Sequence, residues 1–221
     1  MLTFYSHPIS GNARRVWIAL LEKQVPFETI GLNLDGDQFS SEFMSVNPLQ
    51  RIPAIVDDGF RVVESLAILD YLEAKYPHPS LMPLTPEAIA AVRMAEMVTI
   101  SDLQPMMTTL QQHVMGMPVD DKKLAAAQAR IQVVLNYLEH HLIVGSPYFI
   151  GDAFTLADIV AGTMVLVLPY FGVDLEAYPK IQTWLNTLAQ RPSWQATAPP
   201  ADALEKAKSR VEQIMKDRGD M

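Results

Sequence analysis

The chain has 221 residues, a formal net charge of −8 and no cysteine. This length accommodates either one large domain or two small ones, each with a real core. The acidic balance argues against a nucleic-acid partner, because that affinity comes largely from lysine and arginine neutralising phosphates. The lack of cysteine excludes disulfides, thiolate metal sites and a cysteine nucleophile, so any thiol chemistry must use the thiol of another molecule.

Neither the N-terminal sequence nor the longest apolar run points to a membrane. The N-terminal sequence MLTFYSHP lacks the basic region and apolar core of a signal peptide. The longest apolar run, 159–173, is shorter than the ~20 residues of a membrane-spanning helix and contains Pro169, so it is interpreted as a buried core helix. We expect a cytoplasmic protein without a membrane partner.

The first 76 residues alternate strand and helix signals. The strand LTFY, the helix NARRVWIALLEKQ, the strand FETIGLNL and the short helical turn SSEFMSVNP follow one another. AIVD and FRVV then flank Asp58-Gly59, a dipeptide that favours a tight antiparallel hairpin. Ser65 is the predicted N-cap of a helix that Pro77 ends. The predicted order is βαβαββα.

The strand signals stop after a proline-rich linker, residues 77–85, and residues 86–221 are predicted to be helical. Thr85-Pro86-Glu87 opens a long helix that continues through Gln112, with a kink at Pro105. Further helices are predicted in DDKKLAAAQARIQVVLNYLEHHL, which ends near Gly145, in FTLADIV, where Thr155 and Asp158 have capping-box spacing, in YPKIQTWLNTLAQRP and in the charge-mixed tail ADALEKAKSRVEQIMKDRGD.

Pro53 heads the apolar third strand, although a proline cannot donate a backbone hydrogen bond to a sheet. This domain order, with such a proline, resembles the thioredoxin-like fold, in which the proline is cis. The stretch NPLQRIPAIVDDGFRVVESLAILDYLEAKYP resembles the glutathione-binding segment of the cytosolic glutathione transferases, and FTLADI and YPKIQTWLNTLAQRPSW resemble two helical motifs of that family. The resemblance covers almost the whole chain. It implies an α/β thioredoxin-like N-terminal domain (1–76) and an all-α C-terminal helical bundle (86–221).

The resemblance implies a glutathione site with the following residues. Ile52, before Pro53, offers its backbone to the extended peptide. Ser65 at a helix start receives the γ-glutamyl carboxylate, and Glu64 pairs with the amine. The glycyl carboxylate is assigned to Arg51, with Gln50 and Gln38 as further candidates. Phe39 stands where many serine-type relatives have a histidine, which leaves the contact of that carboxylate open.

The resemblance also implies a residue that activates the glutathione thiol. Serine-type transferases, similar to the delta, theta and zeta classes, have a serine four residues before an arginine on the first helix, and Ser10 and Arg14 match this spacing. A hydroxyl that donates a hydrogen bond to sulfur favours the thiolate, and the start of the helix together with Arg14 or Arg15 adds positive potential. Tyr5 and Ser6 are the alternatives to Ser10.

A pocket for the second substrate is predicted beside the glutathione site, lined by His7, Met97, Met106 and Met107. Packing in the core of the helical bundle is the alternative for the methionines, because apolar residues at helical spacing need only a core to explain them. The expected activity is conjugation of the glutathione thiolate to small hydrophobic electrophiles in detoxification. Two alternatives remain: a zeta-like glutathione-dependent isomerase, although the Ser-Ser-Cys motif is missing, and a non-catalytic glutathione-fold protein that binds ligands. Glutathione is the expected co-substrate, no metal is expected, and the resemblance implies a homodimer.

Overall fold

The computed structural model describes residues 1–33 and 36–200 and the single positions 202, 206 and 209. Within these residues, the N-terminal part contains four strands and three helices in the predicted order. They are β1 (Leu2–Ser6), α1 (Gly11–Glu22), β2 (Phe27–Gly31), α2 (Ser41–Val46), β3 (Ala54–Asp57), β4 (Phe60–Val63) and α3 (Ser65–Lys75). A 3-10 turn, Asp37–Phe39, precedes α2.

The four strands form one mixed sheet in the order β2-β1-β3-β4. β1 is parallel to β2 and antiparallel to β3, and β3 is antiparallel to β4. The predicted hairpin is confirmed: Asp58 and Gly59 both have positive φ, 51° and 85°, as a tight turn between twisted strands requires. The predicted thioredoxin-like arrangement is therefore confirmed.

The register brings three chain segments together at one edge of the sheet. Ala54 pairs with Tyr5 of β1 and with Val63 of β4. The end of β1, the start of β3 and the end of β4 therefore lie side by side. Ser10 follows β1, Pro53 directly precedes β3, and Glu64 directly follows β4. The fold therefore places these predicted functional residues around a common edge.

The C-terminal part is helical throughout its regular elements, as predicted. The helices are α4 (Pro86–Val98), α5 (Gln104–Val114), α6 (Asp121–His141), α7 (Leu156–Val165), α8 (Pro179–Ala189) and the short α9 (Pro192–Ala196). A π-helical turn, Thr99–Leu103, connects α4 to α5, and a 3-10 turn, Leu168–Phe171, follows α7. No helix among residues 1–33 and 36–200 is long and apolar enough to cross a membrane.

α7 occupies the centre of this part, and all ten of its residues are buried. The predicted capping box at its start is present, because Thr155 and Asp158 each accept a hydrogen bond from the backbone of the other. Asp158 also accepts hydrogen bonds from Phe149 N (2.8 Å) and Trp184 Nε1 (2.8 Å). Gly162 lies so close to α8 and α9 that a Cβ would come within 2.6 Å of Leu188 and 2.8 Å of Trp194.

Several predicted element boundaries differ from the structure. Ser65 is the first residue of α3 rather than its N-cap, which is Glu64. The predicted long helix through Gln112 is interrupted at Thr99–Leu103, ahead of Pro105. α6 ends at His141, four residues before Gly145, because Leu142 turns to an extended conformation. The predicted tail helix lies mostly outside the described residues, and the domain limits at 76 and 86 remain predictions.

Candidate active site

Ser10 is the N-cap of α1 and stands at the loop that leaves β1. Its backbone is extended (φ −80°, ψ 110°), and its Oγ accepts a hydrogen bond of 3.2 Å from Ala13 N. A hydroxyl has one hydrogen to donate besides its acceptor lone pairs. The capping bond therefore leaves the Ser10 hydrogen available to a ligand at the positive end of the α1 dipole.

The two alternatives to Ser10 are held in the sheet. Tyr5 packs its ring against Phe43 at a centroid distance of 5.6 Å. Ser6 is buried in β1, opposite Gly31 of β2. Neither residue lines the cavity that opens beside Ser10, described below. Of the three hydroxyls, only that of Ser10 therefore belongs to a residue that lines this cavity.

Ile52 and Pro53 lie just outside the hydrogen-bonded ladder of the sheet. The Ile52–Pro53 peptide bond is cis, as predicted. β3 begins at Ala54, so the ladder with β1 and β4 does not use the backbone of Ile52. That backbone is thus available to an extended peptide lying along the sheet edge.

Glu64 and Ser65 face Pro53 across the β3–β4 pair. Glu64 is exposed and has a positive φ of 67°, a conformation uncommon for a residue with a side chain. Ser65 is buried and starts α3, where the first backbone N–H groups have no partner within the helix. These N–H groups are the candidates for the γ-glutamyl carboxylate of glutathione, and the exposed Glu64 carboxylate is the candidate for its amine.

The loop before Pro53 contains the candidates for the glycyl end of glutathione. Arg51 and Gln50 are exposed, and Gln50 has a positive φ of 58°. The buried Asn47 shapes this loop, because its Nδ2 donates to Arg51 O and its Oδ1 accepts from Leu49 N (3.0 Å). Gln38 lies in the 3-10 turn after β2 and accepts from Gly36 N through Oε1 (3.2 Å). The sequence interpretation did not assign Asn47 a role, although the Asn-Pro pair was visible.

Arg15 links the two halves of the site, a role the sequence interpretation left open. Its side chain is fully buried, with Nη2 donating to Gln104 Oε1 (3.1 Å) and Nη1 making a longer contact of 3.5 Å with Ser65 Oγ. Burial lowers the pKa of Arg15 to about 10, and the nearby Glu96 carboxylate opposes this change. Burial in turn raises the pKa of Glu96, opposed by Arg93, which donates to its Oε2 at 2.7 Å.

A cavity of about 280 Å³ lies between the start of α1 and helices α5 and α7. Its polar lining comes from one cation, amides and hydroxyls: Arg14, Asn12, Gln104, Gln111, Ser10, Thr108 and Thr163. Its apolar wall includes Met107, Met164, Val167 and Phe171. The volume lies just below the range of small-molecule sites, roughly 300 to 1,000 Å³, so the cavity suits a small substrate with polar groups.

The structure brings one of the three predicted pocket methionines to this cavity, Met107. Met106 is partly buried and packs against the core, and Met97 is 48% exposed on α4. His7 does not line the cavity; its Nδ1 accepts from Ile9 N (3.3 Å) and its carbonyl accepts from Ser10 N (3.0 Å). His7 therefore shapes the loop that presents Ser10.

Arg14 lines the cavity, but its guanidinium is held by the C-terminal part of the chain. Nε donates to Thr197 Oγ1 (3.3 Å) and Nη2 to Trp194 O (3.2 Å), and the group lies 5.1 Å from the centre of the Trp194 ring. Burial lowers the pKa of Arg14, partly offset by Tyr170. The sequence alone could not separate the surroundings of Arg14 from those of Arg15.

Comparisons with known proteins agree with this geometry. Residues 4–80 match the family model "Glutathione S-transferase, N-terminal domain", and residues 97–192 match "Glutathione S-transferase, C-terminal domain". The chain is 34% identical over 199 residues to maleylacetoacetate isomerase of Rattus norvegicus, covering 88% of this chain and 91% of that protein.

Two solved structures are similar over nearly the whole chain. A bacterial zeta-class maleyl pyruvate isomerase superposes with a TM-score of 0.77 at 28% identity, covering 91% of this chain and 98% of that one. A glutathione transferase family member from Pseudomonas fluorescens, with two glutathione bound, has a TM-score of 0.79 at 25% identity, with coverages of 90% and 92%. The chain therefore belongs to the glutathione S-transferase family, and within it to the delta-, theta- and zeta-like type.

Proposed function

We propose that this protein is a glutathione-dependent isomerase that converts a cis carbon–carbon double bond to trans in a small maleyl-type acid. The observation that carries the proposal is the cavity beside Ser10, whose lining combines amides, hydroxyls and a guanidinium with an apolar wall. Such a lining suits a substrate with carboxylate and carbonyl groups better than a purely hydrophobic one. The relatives named maleylacetoacetate isomerase and maleyl pyruvate isomerase support this substrate class.

The residues of this chain would divide the work between two regions. The sheet edge holds glutathione through the Ile52 backbone, the Glu64 carboxylate and the start of α3 at Ser65. Bound glutathione would supply a thiolate that forms a C–S bond to one alkene carbon and moves the π electrons onto the conjugated carbonyl. Rotation about the resulting single bond, followed by cleavage of the C–S bond, would restore the double bond as trans and return the thiolate. Ser10 favours the thiolate by donating its hydroxyl hydrogen, assisted by the N-terminal dipole of α1. The cavity orients the acid so that its double bond lies near Ser10.

Conjugation of glutathione to small electrophiles, the activity expected from the sequence, remains a second candidate. The apolar wall of the cavity, with Met107, Met164 and Phe171, supports it. The two reactions differ in the fate of glutathione, which an isomerase regenerates and a transferase consumes. A protein that only binds ligands would leave the thiol of bound glutathione at its solution pKa.

The test is to follow turnover of maleylacetoacetate and maleylpyruvate by their ultraviolet absorbance while free thiol is titrated in the same samples. We expect trans product to form only with glutathione present and total thiol to stay constant. Loss of one thiol per substrate would establish conjugation instead. No product together with an unshifted thiol pKa would favour the ligand-binding alternative.

We also propose that the protein is a homodimer and acts in the cytoplasm. Exposed apolar side chains support the dimer: Met94 and Met97 lie on one face of α4, and Phe60 projects from the β3–β4 hairpin against Tyr71 of α3. Arg93 of α4 pairs with Asp70 of α3, which brings the two helices together. A second copy would cover these side chains.

A further inference from the structure

Arg14 is a buried cation that no carboxylate of the described residues neutralises. Its residue surface is only 7% exposed. Other buried or half-buried cations of the protein have acidic neighbours: Lys23 pairs with Glu73 (2.7 Å), Arg191 pairs with Glu22 (2.6 Å), and Glu96 acts on Arg15. The titratable side chain that acts on the pKa of Arg14 is the phenol of Tyr170, not a carboxylate. Burying an unpaired charge is costly, so this arrangement needs an explanation.

The hydrogen bonds of Arg14 leave part of its guanidinium unused. A guanidinium has five N–H donors. Within residues 1–33 and 36–200, its side chain makes two hydrogen bonds, from Nε to Thr197 Oγ1 and from Nη2 to Trp194 O. Both acceptors are neutral, and both belong to the C-terminal part of the chain. Arg14 also lines the cavity, so a ligand in the cavity is a candidate partner for its remaining N–H donors.

The cavity itself is suited to an anion. No aspartate or glutamate is among its described lining residues, and Arg14 is its one cation. The cavity also opens at the start of α1, a helix of 12 residues whose N-terminal dipole favours negative charge. Stacking on Trp194 and the two hydrogen bonds fix the guanidinium before any ligand arrives. A fixed planar fork binds a carboxylate through two parallel hydrogen bonds.

We propose that Arg14 binds a carboxylate of the acid substrate and so selects acid substrates over neutral ones, rather than acting on the glutathione thiol. The inference rests on the proposed isomerase function for the identity of the substrate. The amides of Asn12, Gln104 and Gln111 line the same cavity and offer further N–H donors for the rest of the molecule. Arg14 would thus favour acids over neutral molecules, while Ser10 serves the thiol.

The experiment measures binding without turnover. Succinate and its neutral analogue succinamide are titrated by calorimetry into the glutathione-saturated protein. A charge-assisted bidentate contact predicts that the wild type binds succinate about tenfold or more tighter than succinamide. Arg14→Met, which keeps an apolar stem against Trp194, should abolish this preference and leave glutathione affinity and the bound thiol pKa unchanged.

Control variants separate local from general effects. Arg130→Met removes the same charge from α6. Arg130 pairs with Asp102 at a distance of 2.7 Å, and neither residue lines the cavity, so this variant should keep the preference for succinate. Arg14→Lys keeps the charge without the fork and should retain a reduced preference. It also serves as the folded variant if circular dichroism shows that Arg14→Met does not fold.

Three results would overturn the inference: equal binding of succinate and succinamide by the wild type, an unchanged preference in Arg14→Met or Arg14→Lys, or a raised thiol pKa with intact succinate binding in Arg14→Met. The last result would assign Arg14 to the thiolate. Because no step depends on catalysis, a failure of the isomerase assay leaves this test intact, and the two failures are distinguishable.

Discussion

The Ser10 hydroxyl serves both the local structure and the proposed chemistry. Its oxygen caps α1 through Ala13 N, and its hydrogen remains available to a thiolate. The same hydroxyl group therefore contributes to stability and to the thiol pKa. Separating the two contributions requires a control that loses a cap without losing a site residue, and Thr85 at the start of α4 provides it through its bond to Ala88 N (3.3 Å).

Ser10→Ala should raise the pKa of bound glutathione and lower kcat about tenfold to hundredfold, because a hydrogen bond to a charged acceptor contributes about 1.5–3 kcal/mol. It should also cost about 1 kcal/mol of stability through the lost cap. Thr85→Ala should show the same stability loss with unchanged kcat. The thiolate absorbance of bound glutathione across pH and urea unfolding measure the two effects. An unshifted thiol pKa in Ser10→Ala would exclude Ser10 as the activating residue.

Arg14 and Arg15 show where residue-level prediction from sequence ends. Adjacent helical residues point ~100° apart, so neighbours with the same side chain enter different surroundings. Arg14 reaches Trp194 and Thr197, whereas Arg15 reaches Gln104 and Ser65. These partners lie 50 or more residues away along the chain. The local motif predicted a cation near the first helix turn, but only the packing of the C-terminal helices decides which arginine meets the cavity.

The π-helical turn between α4 and α5 explains, at the scale of elements, why Met97 is not at the cavity. Gln104, Met107, Thr108 and Gln111 have the three-to-four spacing of one helix face, and all line the cavity. In one continuous α-helix, Met97 lies two turns before Gln104 on the same face. The π-helical turn Thr99–Leu103 contains one residue more than an α-helical turn. This residue rotates the side chains of α4 by about 100° relative to those of α5, so Met97 no longer lies on the face of Gln104. The sequence signalled an irregularity at Pro105 but not its geometry.

Elements with strong local signals were predictable, and their junctions were not. The β3–β4 hairpin and the α7 capping box follow from Asp58-Gly59 and from the Thr155 and Asp158 pair, whose chemistry is local. The short α9 was missed, since five residues show no helical period. The N-cap of α3 is Glu64, one residue before the predicted cap Ser65, and Glu64 has a positive φ. The sequence has no glycine or asparagine at this position that would have indicated a positive φ.

Asp57 joins the end of β3 to α3 and gives the N-terminal domain a defined pH dependence. Its carboxylate accepts hydrogen bonds from Lys75 Nζ (2.7 Å), Tyr76 OH (2.8 Å) and Tyr71 OH (3.1 Å). Burial raises the pKa of Asp57, but these bonds outweigh it and leave the pKa below the ordinary value of 3.8. The folded protein thus binds this proton less readily than the unfolded chain. The stabilisation is complete above about pH 3.8 and is lost as the pH falls below that value.

Asp57→Asn should lower the free energy of unfolding at pH 7 by about 2 kcal/mol, because it removes hydrogen bonds to a charged acceptor. The difference from wild type should shrink as the pH falls below about 3.8, because the carboxylate of the folded protein takes up its proton there. Urea unfolding across pH measures both values. Asp70→Asn, which loses an exposed pair with Arg93, is the control and should change stability by less than about 1 kcal/mol. A pH-independent difference for Asp57→Asn would contradict the assigned role.

The two parts of the molecule are joined by a continuous core and by polar contacts around α1. Arg191, before α9, donates from Nη2 to Glu22 Oε2 (2.6 Å) at the end of α1, while the start of α1 opens into the cavity. One helix thus anchors the C-terminal part at one end and presents Ser10 at the other. Sequence motifs predicted both parts separately, but a cavity formed between them depends on long-range contacts that no local pattern contains.

The proposed dimer makes the last prediction at the scale of the whole molecule. The wild type should sediment at twice its chain mass of 24.6 kDa. Met97→Glu should raise the dimer dissociation constant at least about hundredfold, because a twofold interface buries the new carboxylate twice without a partner. The variant should remain folded, since Met97 is 48% exposed in the single chain.

Val133→Glu, at a 52% exposed position of α6, is the matched control for this prediction. It adds the same charge to an exposed apolar position outside the α4 and hairpin face, so it should sediment like the wild type. Analytical ultracentrifugation at several micromolar concentrations compares the three proteins. A monomeric wild type would refute the dimer itself. A dimer that persists in Met97→Glu but dissociates in Val133→Glu would place the interface on α6, and Met94, Met97 and Phe60 would then need another partner.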